Sequence, residues 1–380
     1  VSEWLIYRGT GAPHDGMERL PEPPPWREFD GGPPVPPPAA LEPSSERRLG
    51  QRRREASHHR PSTRECEMVN AALYLRRPLL VTGQAGSGKS TLAHSVAYEL
   101  GLGRVLTWPI VSRSTLRDGL YAYDAIGRLQ DAQLERATRR PAADPADAAR
   151  TAEAAGATDA AGATDAAGAT DAHDAASPAH ADAADEPGGG IGRYIRLGPL
   201  GTALLPSARP RVLLVDELDK SDIDLPNDLL HVLEEGEFTI PELERIADRA
   251  PVVEVLSDDG TKVPVRGGRV RCGAFPFIVL TSNGEREFPA PLRRRCIELQ
   301  LPVPDRARLT GMVRAHFPEG DDERFGEMID RFLAAGAGDV RAVDQLLNAI
   351  ELTRQADWDP ADGSARRVTE ELMRPINRPR

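Results

Sequence analysis

Eight consecutive residues, Gly83-Gln84-Ala85-Gly86-Ser87-Gly88-Lys89-Ser90, fit the pattern G-x-x-x-x-G-K-[ST]. The chemistry this points to is phosphate binding. Gly83, Gly86 and Gly88 let the backbone turn tightly and aim N–H groups at phosphate oxygens, with Gln84, Ala85 and Ser87 completing the loop. A helix starting after Gly88 adds partial positive charge. Lys89 is the cation for β- and γ-phosphates, and Ser90 offers a hydroxyl to Mg²⁺. Thr91, one residue on, is within reach of an α-phosphate. The bland alternative is a chance glycine-rich turn. The apolar run 79–82 before the loop and the helical pattern after it argue against that.

A second pattern is Val212-Leu213-Leu214-Val215-Asp216-Glu217, four apolar residues ending in two carboxylates, which is the Walker B pattern. Asp216 is placed to hold Mg²⁺, through water, and Glu217 to polarise an attacking water as general base. A small-molecule kinase needs no such second carboxylate, whereas a hydrolase does. A third is Thr281-Ser282-Asn283, where Asn283 could hold the lytic water or read the phosphate state; Asn283-Gly284 is also a plain turn signal. A fourth is Arg293-Arg294-Arg295, from which a guanidinium could reach a neighbouring subunit's γ-phosphate; a solvated basic patch is the alternative. Arg341, at the start of a helical apolar stripe, could contact the same phosphates or be a surface charge.

The elements that must position these residues read as a parallel α/β sheet. Residues 65–77 have helical spacing and stop before Pro78, and Leu79–Thr82 is a short buried-strand run. A helix follows from Ser90 to Leu100 and ends at Gly101. Strands are expected at 105–108, 212–215 and 277–280. After about Pro304 the strand signals stop. Val340, Val343, Leu346, Leu347 and Ile350 then form a helical stripe, so the last segment reads as a small all-helical domain.

Composition is uneven over the 380 residues. The net charge is −11, yet residues 141–190 hold ten acidic side chains and one basic one, so the rest is near neutral. That window repeats Gly-Ala-Thr-Asp-Ala-Ala from Gly156 and Gly162 and, with His173 last, from Gly168. Alanine is its only apolar residue type, so nothing large is available to bury and a solvated insert is expected. Ten prolines lie between Pro21 and Pro43, followed by a basic cluster from Arg47 to Arg60 that reads as a linker or as a nucleic-acid contact. Trp4, Tyr7 and Trp26 are unusual for a linker and look like anchors. The organisation expected is an N-terminal segment 1–60, an α/β domain 61–303 carrying the insert, and a helical domain 304–380. Cys66, Cys272 and Cys296 are too few for a disulfide framework, and no run approaches ~18 apolar residues. The start of the chain lacks a basic-then-apolar signal pattern, so a cytoplasmic chain with no membrane role is expected. No metal-ligand spacing of His and Cys and no Gly-x-Ser-x-Gly elbow is present.

The order of these motifs resembles that of the AAA+ ATPases, over about residues 65–350. Ile195-Arg196-Leu197-Gly198-Pro199-Leu200, and Asp216-Glu217-Leu218-Asp219-Lys220 followed by the helix ending at Glu234-Glu235-Gly236, resemble the MoxR-like group. Trp4…Tyr7-Arg8-Gly9-Thr10-Gly11 and Pro23-Pro24-Pro25-Trp26 look similar to a bacterial subset encoded beside von Willebrand factor A domain proteins in conflict systems. The resemblance implies ATP and Mg²⁺, a homo-oligomeric ring, commonly a hexamer, and a protein substrate or partner. It gives Asn283 the sensor 1 role and Arg341 the sensor 2 role. It puts the arginine finger at Arg295, with Arg294 next, because Arg294 stands where the group usually has an acidic residue. Two other readings stay open: a nucleic-acid-associated restriction-type NTPase, and a nucleotide-gated assembly switch.

Overall fold

The computed structural model describes residues 3–36, 61–138, 190–317, 322–334, 341–355 and 363–376. The basic cluster 47–60 and the alanine-rich repeats lie outside the described residues. Eleven strands are described: β1 (Leu79–Thr82), β2 (Val105–Pro109), β3 (Tyr121–Tyr123), β4 (Ile195–Leu197), β5 (Val212–Asp216), β6 (Glu237–Thr239), β7 (Val252–Leu256), β8 (Lys262–Arg266), β9 (Arg269–Arg271), β10 (Phe277–Ser282) and β11 (Ile297–Gln300).

Five of them form the parallel sheet expected, in the order β11-β1-β10-β5-β2. The central strands are apolar and buried on both faces, as a sheet covered by helices on each side requires. Helices Thr63–Leu75 and Lys89–Glu99 cover one face, with Val69, Leu73, Leu92 and Val96 in the core there. Helices Pro199–Ala203 and Leu225–Glu235 cover the other. Because the strands are parallel, Thr82, Asp216 and Ser282 end at one edge, and the loops that follow them gather there.

Two features were not foreseen. The edge strand β11 is short and half-exposed, so it carries only a weak apolar signal. A second sheet, β3-β4-β7-β8-β9-β6, is built mostly from antiparallel pairs three to five residues long. The alanine-rich insert therefore interrupts the β3–β4 pair of this second sheet. Its two flanks are tied together: Asp124 N donates to Tyr194 O at 2.8 Å, and the Tyr194 hydroxyl to Asp131 Oδ2 at 2.7 Å. Beyond residue 305 the described chain is helical: Arg306–His316, Asp322–Leu333, Val343–Gln355 and Gly363–Leu372 share a separate core around Leu309, Ile329, Leu346 and Ile350.

Residues 3–36 dock on their own chain as a strap. Ile6 and Tyr7 are fully buried. Asn70 Oδ1 accepts their two backbone N–H groups at 2.6 and 3.0 Å, and its amide donates to Tyr7 O at 2.7 Å. The fully buried Glu99 carboxylate accepts N–H groups from Arg8, Gly9 and Gly11 at 2.7–3.1 Å and contacts His14 at 3.1 Å. Farther along, Arg27 donates to Arg76 O, Leu233 O and Glu234 O, capping two helix C-termini, with its guanidinium against Phe29 and Phe275. Of the three aromatic anchors expected, Tyr7 is one, Trp4 packs edge-on against Tyr74, and Trp26 is 71% exposed. The neighbouring Arg27 does the work assigned to Trp26.

Candidate functional site

The phosphate loop leaves β1 and ends where the helix Lys89–Glu99 begins. Gly86 and Gly88 have φ of +77° and +88°, left-handed values that favour glycine. A Cβ on Gly86 would also lie 2.7 Å from Val343 N, so the helical domain packs directly on the loop. Lys89 is buried, and its Nζ donates to Gly83 O, Gln84 O and Asn283 Oδ1, each at 2.8 Å. Burial lowers its pKa from the ordinary lysine value, against the opposing pull of Asp216, Asp219 and Glu217.

Asp216 ends β5. Its Oδ1 accepts two hydroxyls, Ser90 Oγ at 2.8 Å and Thr281 Oγ1 at 2.7 Å. Glu217 has a left-handed backbone, φ +60°, a conformation that costs a non-glycine residue about 1–3 kcal/mol. Its N–H donates to Thr281 Oγ1 at 2.8 Å. Its carboxylate meets Lys220 Nζ at 2.7 Å and Asn283 Nδ2 at 3.5 Å. Asp219 fixes the Asn283 turn by accepting N–H from Asn283 and Glu285 at 2.9 and 3.2 Å.

These groups border one cavity of about 420 Å³. Ala85, Gly86, Gly88, Lys89, Ser90 and Thr91 line it from the loop, and Asp216, Glu217 and Asn283 from the neighbouring strand ends. Gly83, Gln84 and Ser87 shape the loop from behind; the first two act through carbonyls that hold Lys89, and Ser87 is buried. The helical domain closes the far side with Met312, His316, Val343 and Leu347. That apolar wall, Thr281 and Asp219 were not read from sequence as site residues. Nor was Arg308, which joins the helical domain to Glu65 at 2.8 Å and to the loop carbonyl of Ser87 at 3.2 Å. Only its place beside the predicted domain boundary could have flagged it.

The donor set fits Mg²⁺. Ser90 and Asp216 present hard oxygens 2.8 Å apart at the cavity edge, and a magnesium ion bound by one or two protein oxygens keeps its waters and takes the rest from phosphate. Among the described residues no cluster of three or more His, Cys, Asp or Glu side chains could hold another metal. Burial pushes the thiols of Cys66, Cys272 and Cys296 up to about 11, 12 and 12, so none is a ready thiolate.

The arginines lie elsewhere. None of Arg293, Arg294, Arg295 and Arg341 lines the cavity. Arg293 pairs with Glu298 at 2.9 Å and Arg295 with Glu234 at 2.9 Å, while the exposed Arg294 side chain has no ion-pair partner among the described residues. Arg341 Nη1 donates to the carbonyls of Arg331 and Phe332, at 2.9 and 2.8 Å, at the end of the helix Asp322–Leu333. In this conformation Arg341 is engaged with a helix terminus, and contact with bound phosphates needs its side chain to turn.

No family model matches the chain, and no curated protein matches it. Solved structures do match. One is domain III of the replication initiation protein DnaA from Thermotoga maritima, 13% identical, covering 89% of this chain and 100% of that one, with a TM-score of 0.38. At that score the likeness carries no argument about this chain. The fold class rests on the molecule itself: a phosphate loop on a parallel sheet flanked by helices, followed by a helical domain.

Proposed function

We propose that this chain is an ATP-hydrolysing AAA+ ATPase of MoxR-like type, working as a homo-oligomeric ring that remodels a protein partner. One observation carries the catalytic part. Lys89, Ser90, Asp216, Glu217 and Asn283, from three separate stretches of sequence, converge on one cavity that the helical domain closes.

The loop N–H groups and Lys89 would bind the β- and γ-phosphates, with Lys89 exchanging its two loop carbonyls for phosphate oxygens. Ser90 and Asp216 would hold Mg²⁺, which when bound neutralises charge developing on the phosphates. Glu217 would take a proton from water as the water oxygen bonds to the γ-phosphorus and the bond to the β-γ bridging oxygen breaks. Asn283 sits between Lys89 and Glu217, so it touches both the phosphate cation and the base. No arginine of the chain's own finger helix reaches the cavity, so a transition-state arginine would come from a neighbouring copy. Arg294, with no ion-pair partner among the described residues, is as well placed for that as Arg295. The resemblance of the motifs supports the partner class, with a von Willebrand factor A domain protein the first candidate. No described helix is long and apolar enough to cross a membrane, and we place the protein in the cytoplasm, where ATP is available.

The test compares Lys89→Ala and Glu217→Gln with the wild type. Lys89→Ala is expected to lose nucleotide binding. Glu217→Gln is expected to bind ATP normally and to turn it over at least about 100-fold more slowly. Wild-type turnover in Glu217→Gln would remove the general-base assignment. Captured with ATP, the same slow variant should retain its protein partner.

A further inference from the structure

Among the described residues, Thr281 is the one side chain that bonds to both Asp216 and Glu217. It is fully buried. A hydroxyl has one proton to donate and lone pairs to accept. Here the proton goes to Asp216 Oδ1 at 2.7 Å, and the oxygen accepts the backbone N–H of Glu217 at 2.8 Å. Two consequences follow. Asp216 Oδ1 is taken by Thr281 and Ser90 together, which fixes the rotation of the carboxylate and leaves Oδ2 as the oxygen that neither hydroxyl engages. The Glu217 backbone is held at φ +60°, the turn that swings its side chain back toward Asn283 and Lys220.

We infer that Thr281 is a positioning residue: through one hydroxyl it sets the orientation of the Mg²⁺-holding carboxylate and the backbone turn of the general base. This rests on the hydrolytic reading above. No other described side chain makes both contacts. Valine has the same shape but neither donates nor accepts, and among the described residues the Glu217 N–H has no other acceptor. A residue that only packed the strand would tolerate that exchange.

The experiment measures two quantities on Thr281→Val and Thr281→Ser beside the wild type: ATP affinity as a function of Mg²⁺, and steady-state kcat and KM. Thr281→Val should bind ATP without Mg²⁺ within about twofold of wild type, since Lys89 and the loop are untouched. It should need about tenfold more Mg²⁺ for full affinity, and kcat should fall by about 10- to 100-fold with little change in KM. Thr281→Ser restores the hydroxyl and should recover both to within a few-fold. Unchanged Mg²⁺ dependence and kcat in Thr281→Val overturn the inference. So does a serine variant as impaired as the valine one, because the lost methyl group would then be the cause. If valine is not tolerated by the fold, Thr281→Cys keeps the volume with a weaker donor, and its Mg²⁺ requirement should lie above that of wild type and of Thr281→Ser, an unchanged requirement overturning the inference. A wild type that binds ATP but does not hydrolyse it would refute the hydrolytic reading alone. The Mg²⁺ dependence of binding would still decide the role of Thr281.

Discussion

The phosphate loop and the N-terminal strap both hold buried polar groups against the helix Lys89–Glu99, one at each end of it. At its start, Lys89 is held by two carbonyls of its own loop and one amide oxygen. At its end, Glu99 is held by three backbone N–H groups of the strap and by His14. The difference lies in what can be exchanged. Lys89 itself lines an open cavity, and incoming phosphate oxygens can replace its partners. Glu99 itself is fully buried beneath its partners, out of reach of any solute that could replace them. The first arrangement suits binding and the second suits permanence.

The contrast breaks most visibly if Glu99 is removed. Glu99→Ala leaves the N–H groups of Arg8, Gly9 and Gly11 without their acceptor and is expected to cost about 3–5 kcal/mol of folding stability. Denaturant unfolding reads this directly. Lys89→Ala should cost far less stability, although it removes nucleotide binding altogether. If Glu99→Ala unfolds at the wild-type midpoint, the strap is not the permanent fixture described.

A smaller effect sharpens the other half of the comparison. Burial lowers the Lys89 pKa, and only its charged form attracts phosphate. The sign follows from that. Nucleotide affinity is complete below the Lys89 pKa of the free chain and falls as pH rises through it, by up to about tenfold per pH unit. Because that pKa is lowered, the fall should begin at a lower pH than the ~10.4 of an exposed lysine would give. Titration of ATP affinity on the alkaline side checks this. A fall that begins no earlier than for a free lysine would mean that Lys89 is solvated in the working molecule.

The two regions also differ in how far the sequence disclosed them. The loop, Asp216, Glu217 and Asn283 are legible because phosphate chemistry demands particular residue types at fixed spacing. The central strands are legible because burial on both faces demands unbroken apolar runs. The strap's grip is not legible. Its acceptors, Asn70 and Glu99, lie on ordinary helices, and the strap contributes backbone N–H groups, which every residue but proline has. Arg27 is hidden for a related reason: its partners are carbonyls, so no acidic residue at a telling distance announces it. Four of the six strands of the second sheet escape notice because three residues are too short to show alternation. The apolar wall of the cavity, Met312, Val343 and Leu347, looks like any helix core until the helical domain is seen against the loop.

Lys220 lies between these two kinds of contact. Its ammonium sits 2.7 Å from Glu217, but both side chains are about 40% exposed. An ion pair in that setting contributes about 0–1 kcal/mol, because water and salt screen it. Lys220 is therefore expected to be an exchangeable companion of Glu217, like the carbonyls around Lys89, and not a lock. Lys220→Met should change kcat by less than about fivefold, the factor corresponding to 1 kcal/mol, and the change should shrink as salt is added. Steady-state hydrolysis at low and high ionic strength measures both. A change beyond tenfold that salt does not touch would place Lys220 with Glu99, among the contacts that cannot be exchanged.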